Sequence, residues 1–117
     1  MRTISKFHYA TVFLDGVAFT SDEQLHRELA FKLGLPQWYG RNFDALLDCL
    51  SSIDDPHENL CTHWELQPGK RMVLQVRDLP DDTANEALLK KFVQTISAAN
   101  DRLSRGERDV RIWVEFA

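Results

Sequence analysis

Leu35-Pro36-Gln37-Trp38-Tyr39-Gly40-Arg41-Asn42-Phe43-Asp44-Ala45-Leu46-Leu47-Asp48-Cys49-Leu50 is the stretch whose reading decides how this chain folds. Pro36 fixes its own φ and drives Leu35 toward extended geometry, and Gly40 permits a backbone angle that other residues resist, so a preceding helix must end here. Asn42, a good N-cap residue, starts the next helix. Phe43, Leu46, Leu47 and Leu50 then recur at intervals of three and four, which gathers them on one stripe and obliges that stripe to face a core. On the same helix Asp44 and Asp48 stand one turn apart and away from the centre of the stripe, so both carboxylates point into solvent from one face.

Like charges at this spacing cost about 0.2 to 0.5 kcal/mol. The helix dipole offsets part of that cost for Asp44, in the first turn, and less of it for Asp48. Stability alone would favour another residue at position 48. Two acids on a solvated face are ordinary taken by themselves, but their setting is not. Between Asn42 and Gly69 the chain places six carboxylates (Asp44, Asp48, Asp54, Asp55, Glu58 and Glu65) and no Lys or Arg, although the whole chain carries 14 bases against 18 acids. The negative charge is concentrated here.

The block closely resembles the helix-loop-helix signature of the barstar family, intracellular inhibitors of the ribonuclease barnase. The shared pattern is Leu-Pro-x-aromatic-Tyr-Gly-x-Asn-x-Asp-Ala-Leu-x-Asp-Cys-Leu, and a fainter likeness continues through most of the chain. The resemblance implies a three-stranded parallel sheet packed with helices, and a partner that is a basic, extracellular-type ribonuclease or a related toxin. It implies that Asp48 enters the pocket meant for the scissile phosphate and that Asp44 engages a neighbouring base. Trp38 stands where the family has a Tyr lying against its enzyme, with Tyr39 packing inside, and Gly40 and Asn42 match positions whose backbone lies at the interface. Counting back from Gly106 puts Asp101 at a further family carboxylate. There are two departures: Arg41 replaces a family acid, and Leu47 replaces a Trp that contacts the enzyme in the best-known member. Both bear on which enzyme is bound more than on how.

At 117 residues and 13.6 kDa, the chain reads as a single domain spanning 1–117, large enough to bury a core without disulfide or metal staples. Hydrophobic residues at 44% and charged residues at 27% are near globular averages, which excludes a low-complexity chain. No run approaches the roughly 18 apolar residues of a membrane span, and the N-terminus lacks the layout of a signal peptide, so a cytoplasmic protein is expected. Cys49 and Cys61 fit a reducing compartment as free thiols, Cys49 packed beside the stripe, although sequence alone leaves a bridge between them open.

Tyr9 to Leu14 reads as a buried strand closed by Asp15-Gly16. Thr20 or Ser21 caps a helix that carries Leu25, Leu29 and Leu33 and stops at Gly34. His26 in that helix is a candidate ligand or acid-base group, but without a visible partner a solvated or hydrogen-bonded imidazole is the simpler reading. Ser51 to Gly69 is a long connection, with Trp64 as a lid on the core. His57, Cys61 and His63 within it match no recurrent zinc spacing. Arg71 to Val76 is a nearly continuous apolar strand, consistent with burial on both faces. Pro80 to Thr83 supplies a turn and, with Glu86, a capping box. A helix then runs to about Leu103 on Leu88, Leu89, Phe92, Val93, Ile96 and Ala99, and Gly106 stops it. Val110 to Phe116 is the third strand. Strands alternating with helices give the α/β class.

For function, the sequence favours a binding protein over an enzyme. Paired catalytic carboxylates need a concave, partly desolvated setting that a short exposed helix does not offer, and no nucleophile-base pair or phosphate-binding Gly loop is present. No catalytic residue, metal or cofactor is therefore expected. Direct nucleic-acid binding is disfavoured, since the acidic face would repel phosphates. The alternative is a barstar-like module or immunity protein whose partner is another toxin or cytoplasmic protein. The free protein is expected to be a monomer.

Overall fold

The computed structural model describes residues 9–67, 70–80, 85–104 and 111–117. In chain order they form β1 (Tyr9–Asp15), α1 (Asp22–Leu33), α2 (Phe43–Ser51), β2 (Arg71–Arg77), α3 (Glu86–Ser104) and β3 (Ile112–Phe116), with a 3-10 turn at Gly16–Thr20 between β1 and α1. The strands make one sheet in the order β1-β2-β3, and both pairs are parallel. Parallel neighbours require long crossovers: α1, α2 and the connection after them supply the first, and α3 the second. This is the α/β architecture expected from the alternation of elements.

The sheet buries one face. Val12 and Leu14 of β1, Met72, Leu74 and Val76 of β2, and Ile112 of β3 are all buried. Burial of β2 on both faces, expected from its apolar run, is not what the structure shows, and β1 likewise is covered on one side. Across the second face Phe13 and Trp113 are about half exposed, with the half-buried Val73 and Gln75 between them. Arginines shield these aromatics from the solvent side: the Arg77 guanidinium lies 3.8 Å from the centroid of the Phe13 ring, and that of Arg71 lies 5.9 Å from Trp113. Cation–π contact of this kind, at about 0.5 to 1 kcal/mol each, helps a half-covered sheet tolerate apolar residues on its open side.

The helices close the core over the buried face. Leu25, Leu29 and Leu33 of α1, Leu46 and Leu50 of α2, and Leu88, Phe92, Ile96, Ala99 and Leu103 of α3 keep helical spacing and are buried together. Phe19 meets Phe92 edge to face, with centroids 5.2 Å apart. Asn100 ties α3 to the start of β3, its Oδ1 accepting from the backbone N–H of Arg111 and Ile112 at 2.9 and 2.7 Å while its Nδ2 donates to Ile112 O at 2.8 Å.

Ser21 caps α1, accepting from Gln24 N–H at 3.1 Å, and Gly34 ends it in the left-handed region at φ 69°. The connection after α2 folds back over that end. Thr62 donates to Gly34 O through both its backbone N–H, at 3.0 Å, and its hydroxyl, at 2.7 Å. His63 N–H reaches Leu33 O at 3.2 Å, and the half-buried Trp64 donates its indole N–H to Lys32 O at 2.9 Å. Carbonyls that the last helical turn leaves open are thus satisfied by a segment with no helix or strand of its own. A Cβ at Gly34 would lie 2.3 Å from Thr62 Oγ1, so this glycine serves both the backbone angle and the close approach.

Cys49 and Cys61 are buried free thiols, and burial pushes the Cys61 thiol up to about 12 and that of Cys49 upward as well. Among the described residues no group of three or more His, Cys, Asp and Glu could hold a metal ion, and no helix is long and apolar enough to cross a membrane. The expected capping box at Thr83, the stop at Gly106, Val110, and Pro68 with Gly69 lie outside the described residues.

Candidate docking face

Asn42 builds the face. Its backbone is extended, and its side-chain Oδ1 accepts from Ala45 N–H at 2.7 Å, which starts α2 where the sequence places it. The tight turn before it differs from expectation in one respect: the left-handed residue is Arg41, at φ 55°, and not Gly40. Gly40 answers to space instead. A Cβ there would sit 3.2 Å from Asn42 Nδ2, the group that also donates to Gly40 O at 3.3 Å. The turn is closed by these short-range contacts, and Arg41 bears the strained angle.

Beneath the turn lies a bond that the sequence does not announce. Tyr39 is buried, and its hydroxyl stands 2.6 Å from Nδ1 of His26, which is itself 1% exposed. The His26 ring also meets Phe43 edge to face at 4.8 Å. Burial lowers the imidazole's pKa, opposed in part by Asp22, while burial raises that of the Tyr39 hydroxyl. Both groups are therefore neutral at ordinary pH. His26 is a hydrogen-bonded core histidine that joins α1 to the turn and to the first residue of α2. Trp38, one residue before Tyr39, is 70% exposed, so the turn holds one aromatic inside and presents the other.

On α2 the buried line runs through Leu46, Cys49 and Leu50, with Phe43 and Leu47 half buried at its flank. Leu47 packs against the core cluster. Asp44 and Asp48 are exposed. Asp44 lines an open cleft of about 420 Å³ together with Asp22, His26, Arg41, Asn42, Phe43 and Lys91. Asp48 faces outward but has a cation from its own chain: Arg102 Nη1 lies 3.1 Å from Asp48 Oδ1. Asp101 is exposed on α3, one residue before that arginine.

The fold also disperses the acidic run. Asp54 is drawn inward by Arg111, at 3.4 Å, where the buried guanidinium also donates to the carbonyls of Lys70 and Gln67 at 3.2 Å each. Asp55 accepts from the backbone N–H groups of His57 and Glu58 and so shapes the connection. What remains on the face is Asp44 and Asp48 on one helix, with Trp38, Gly40 and Asn42 on the adjoining turn, interleaved with Arg41, Lys91 and Arg102.

Three parallel strands, helices closed over one face, and an N-capped acidic helix standing outward define a barstar-like α/β domain. The chain belongs to the barstar family: the family model described as "Barstar (barnase inhibitor)" matches residues 9–117. It is also similar to the "Putative ribonuclease inhibitor YrdF" of Bacillus subtilis (strain 168), at 50% identity over 44 residues, which is 38% of this chain. That segment spans about half (48%) of the length of the curated relative.

Proposed function

We propose that this protein is a cytoplasmic inhibitor, of antitoxin type, that shuts a basic barnase-like ribonuclease by laying α2 and the Trp38 turn across its active site. The observation that carries the reading is the outward presentation of Asp44 and Asp48 one turn apart on a helix fixed at its N-terminus by Asn42. A ribonuclease must stabilise a phosphate, so its site gathers Arg, Lys and His in one positive field. Asp48 accepts charge-assisted hydrogen bonds from those groups in place of the scissile phosphate, and Asp44 engages a neighbouring base. A carboxylate cannot be cleaved as a phosphodiester can, so the mimic binds without turnover. Trp38 supplies an aromatic anchor, the backbone at Gly40 and Asn42 adds contact, and Asp101 extends the face from α3.

Family membership, the description of the family as barnase inhibitors and the name of the Bacillus subtilis relative support this reading. The free buried thiols fit a reducing compartment. A second reading, a barstar-like immunity module for a different toxin or cytoplasmic protein, is favoured by one observation: Arg41, Lys91 and Arg102 make the face mixed in sign. The test is capture at low salt on immobilised protein, followed by nuclease assay of the eluate. A retained small basic ribonuclease that the free protein inhibits supports the first reading. Retention of a partner without nuclease activity transfers the assignment to the second.

A further inference from the structure

The ion pair on Asp48 has a consequence for which enzyme the face accepts, and that consequence rests on the docking reading above. Arg102 lies in the last turn of α3, and its Nη1 donates to Asp48 Oδ1 at 3.1 Å and to Ser51 Oγ at 3.3 Å. Ser51 Oγ in turn donates to Leu47 O at 2.6 Å, so the hydroxyl that Arg102 touches is held to α2. The Arg102 and Asp48 side chains are 50% and 74% exposed. A pair this open adds less than about 1 kcal/mol to stability, so its main effect is on whatever approaches Asp48.

Two costs follow when a nuclease docks. The carboxylate that is to receive the enzyme's cations already carries one on Oδ1, and this cation is tethered to α3 within a side chain's length. Like charge facing like charge across an interface disfavours the complex, and more so as water leaves. A guanidinium moreover carries five N–H donors, of which Nη1 alone serves Asp48 and Ser51, and the rest need acceptors once solvent is excluded. An acceptor from the partner removes the second cost, and an acceptor that is a carboxylate offsets the first as well.

We infer that Arg102 is the specificity-determining residue of this face: sitting on Asp48, it disfavours pockets that offer cations alone and fits the chain to a ribonuclease that brings a carboxylate or carbonyl to the rim of its phosphate site. Arg41 and Lys91, on the Asp44 side of the cleft, extend the same bias.

Barnase, the enzyme named in the description of the family, serves as the probe. Its binding kinetics are measured with wild type, Arg102→Ala, Arg102→Gln, Arg102→Lys and Asp48→Ala, with circular dichroism confirming the fold of each. Arg102→Ala and Arg102→Gln are expected to bind about tenfold more tightly than wild type at low salt, a gain that shrinks as ionic strength rises. Arg102→Lys, which keeps the charge, is expected to stay near wild type. Binding by Arg102→Ala and Arg102→Gln that is equal to or weaker than wild type, while Asp48→Ala weakens it severely, overturns the inference, as does failure of wild type and both neutral variants to bind at all. Asp48→Ala binding as tightly as wild type is a different result and removes the docking reading itself.

Discussion

Tyr39→Phe removes one oxygen and leaves the ring, which isolates the bond joining the turn before α2 to α1. That oxygen is 2.6 Å from His26 Nδ1, in a place where the imidazole is 1% exposed and water does not substitute freely. Burial holds the imidazole neutral and the phenol protonated, so the two groups share one neutral hydrogen bond whose direction the imidazole tautomer sets. A buried polar group that loses its hydrogen-bond partner costs about 1 to 3 kcal/mol, while the T-shaped contact of His26 with Phe43 at 4.8 Å is untouched by the change. The expected loss is therefore about 2 kcal/mol in urea denaturation at pH 8, with the dependence on urea unaltered. Replacing both partners by apolar groups of similar shape is far less costly than removing one, so His26→Leu/Tyr39→Phe is expected to recover much of the loss. A Tyr39→Phe protein within about 0.5 kcal/mol of wild type, the range of ordinary surface changes, would refute the reasoning.

His26 also sets a pH dependence. Its pKa is lowered by burial from 6.5, so the unfolded chain takes up the proton first and stability falls as pH drops below that value, by at most about 1.4 kcal/mol per pH unit; denaturation midpoints between pH 7.5 and 5.5 are expected to show a slope that His26→Leu flattens. Gly34→Ala forces a Cβ to 2.3 Å from Thr62 Oγ1 and an alanine into a left-handed angle costing about 1 to 2 kcal/mol by itself, so thermal unfolding should show a loss above about 2 kcal/mol. Asp54→Asn weakens the Arg111 anchor, for a loss of about 1 to 2 kcal/mol in the same assay, and is expected to inhibit nuclease as wild type does, because this acid is structural.

The elements were legible because their signals are local. Asn42 capping, the stripe through Leu46 and Leu50, Ser21 and Gly34 at the ends of α1, and the alternation of strands with helices depend on neighbours within a few residues. The apolar run of β2 misled about its second face because composition does not tell a helix-covered surface from one shielded by Arg71 and Arg77, which are themselves strand residues. The turn's strained angle fell on Arg41 and not on the neighbouring glycine, although glycine is the residue that tolerates such an angle most easily.

At the face, the outward acids were readable from helical spacing, whereas their counterions were not. Arg102 meets Asp48 across 54 positions of sequence, and Arg111 meets Asp54 across 57. No window of sequence contains such a pair. The six acids that form a block in sequence are separated by the fold into structural ones and exposed ones. The bond between His26 and Tyr39, 13 residues apart, left only an indirect sign: a histidine on the apolar side of α1 beside Leu25 and Leu29.

The most direct measurement is the inhibition of barnase by Asp48→Ala, titrated beside wild type and Asp44→Ala after circular dichroism has shown all three folded. If Asp48 stands in for the phosphate, its loss strands the enzyme's cations in a closed interface at a cost of about 3 kcal/mol or more, so inhibition should weaken at least about a hundredfold, and less in Asp44→Ala. Equal inhibition by wild type and Asp48→Ala would contradict phosphate mimicry by this helix.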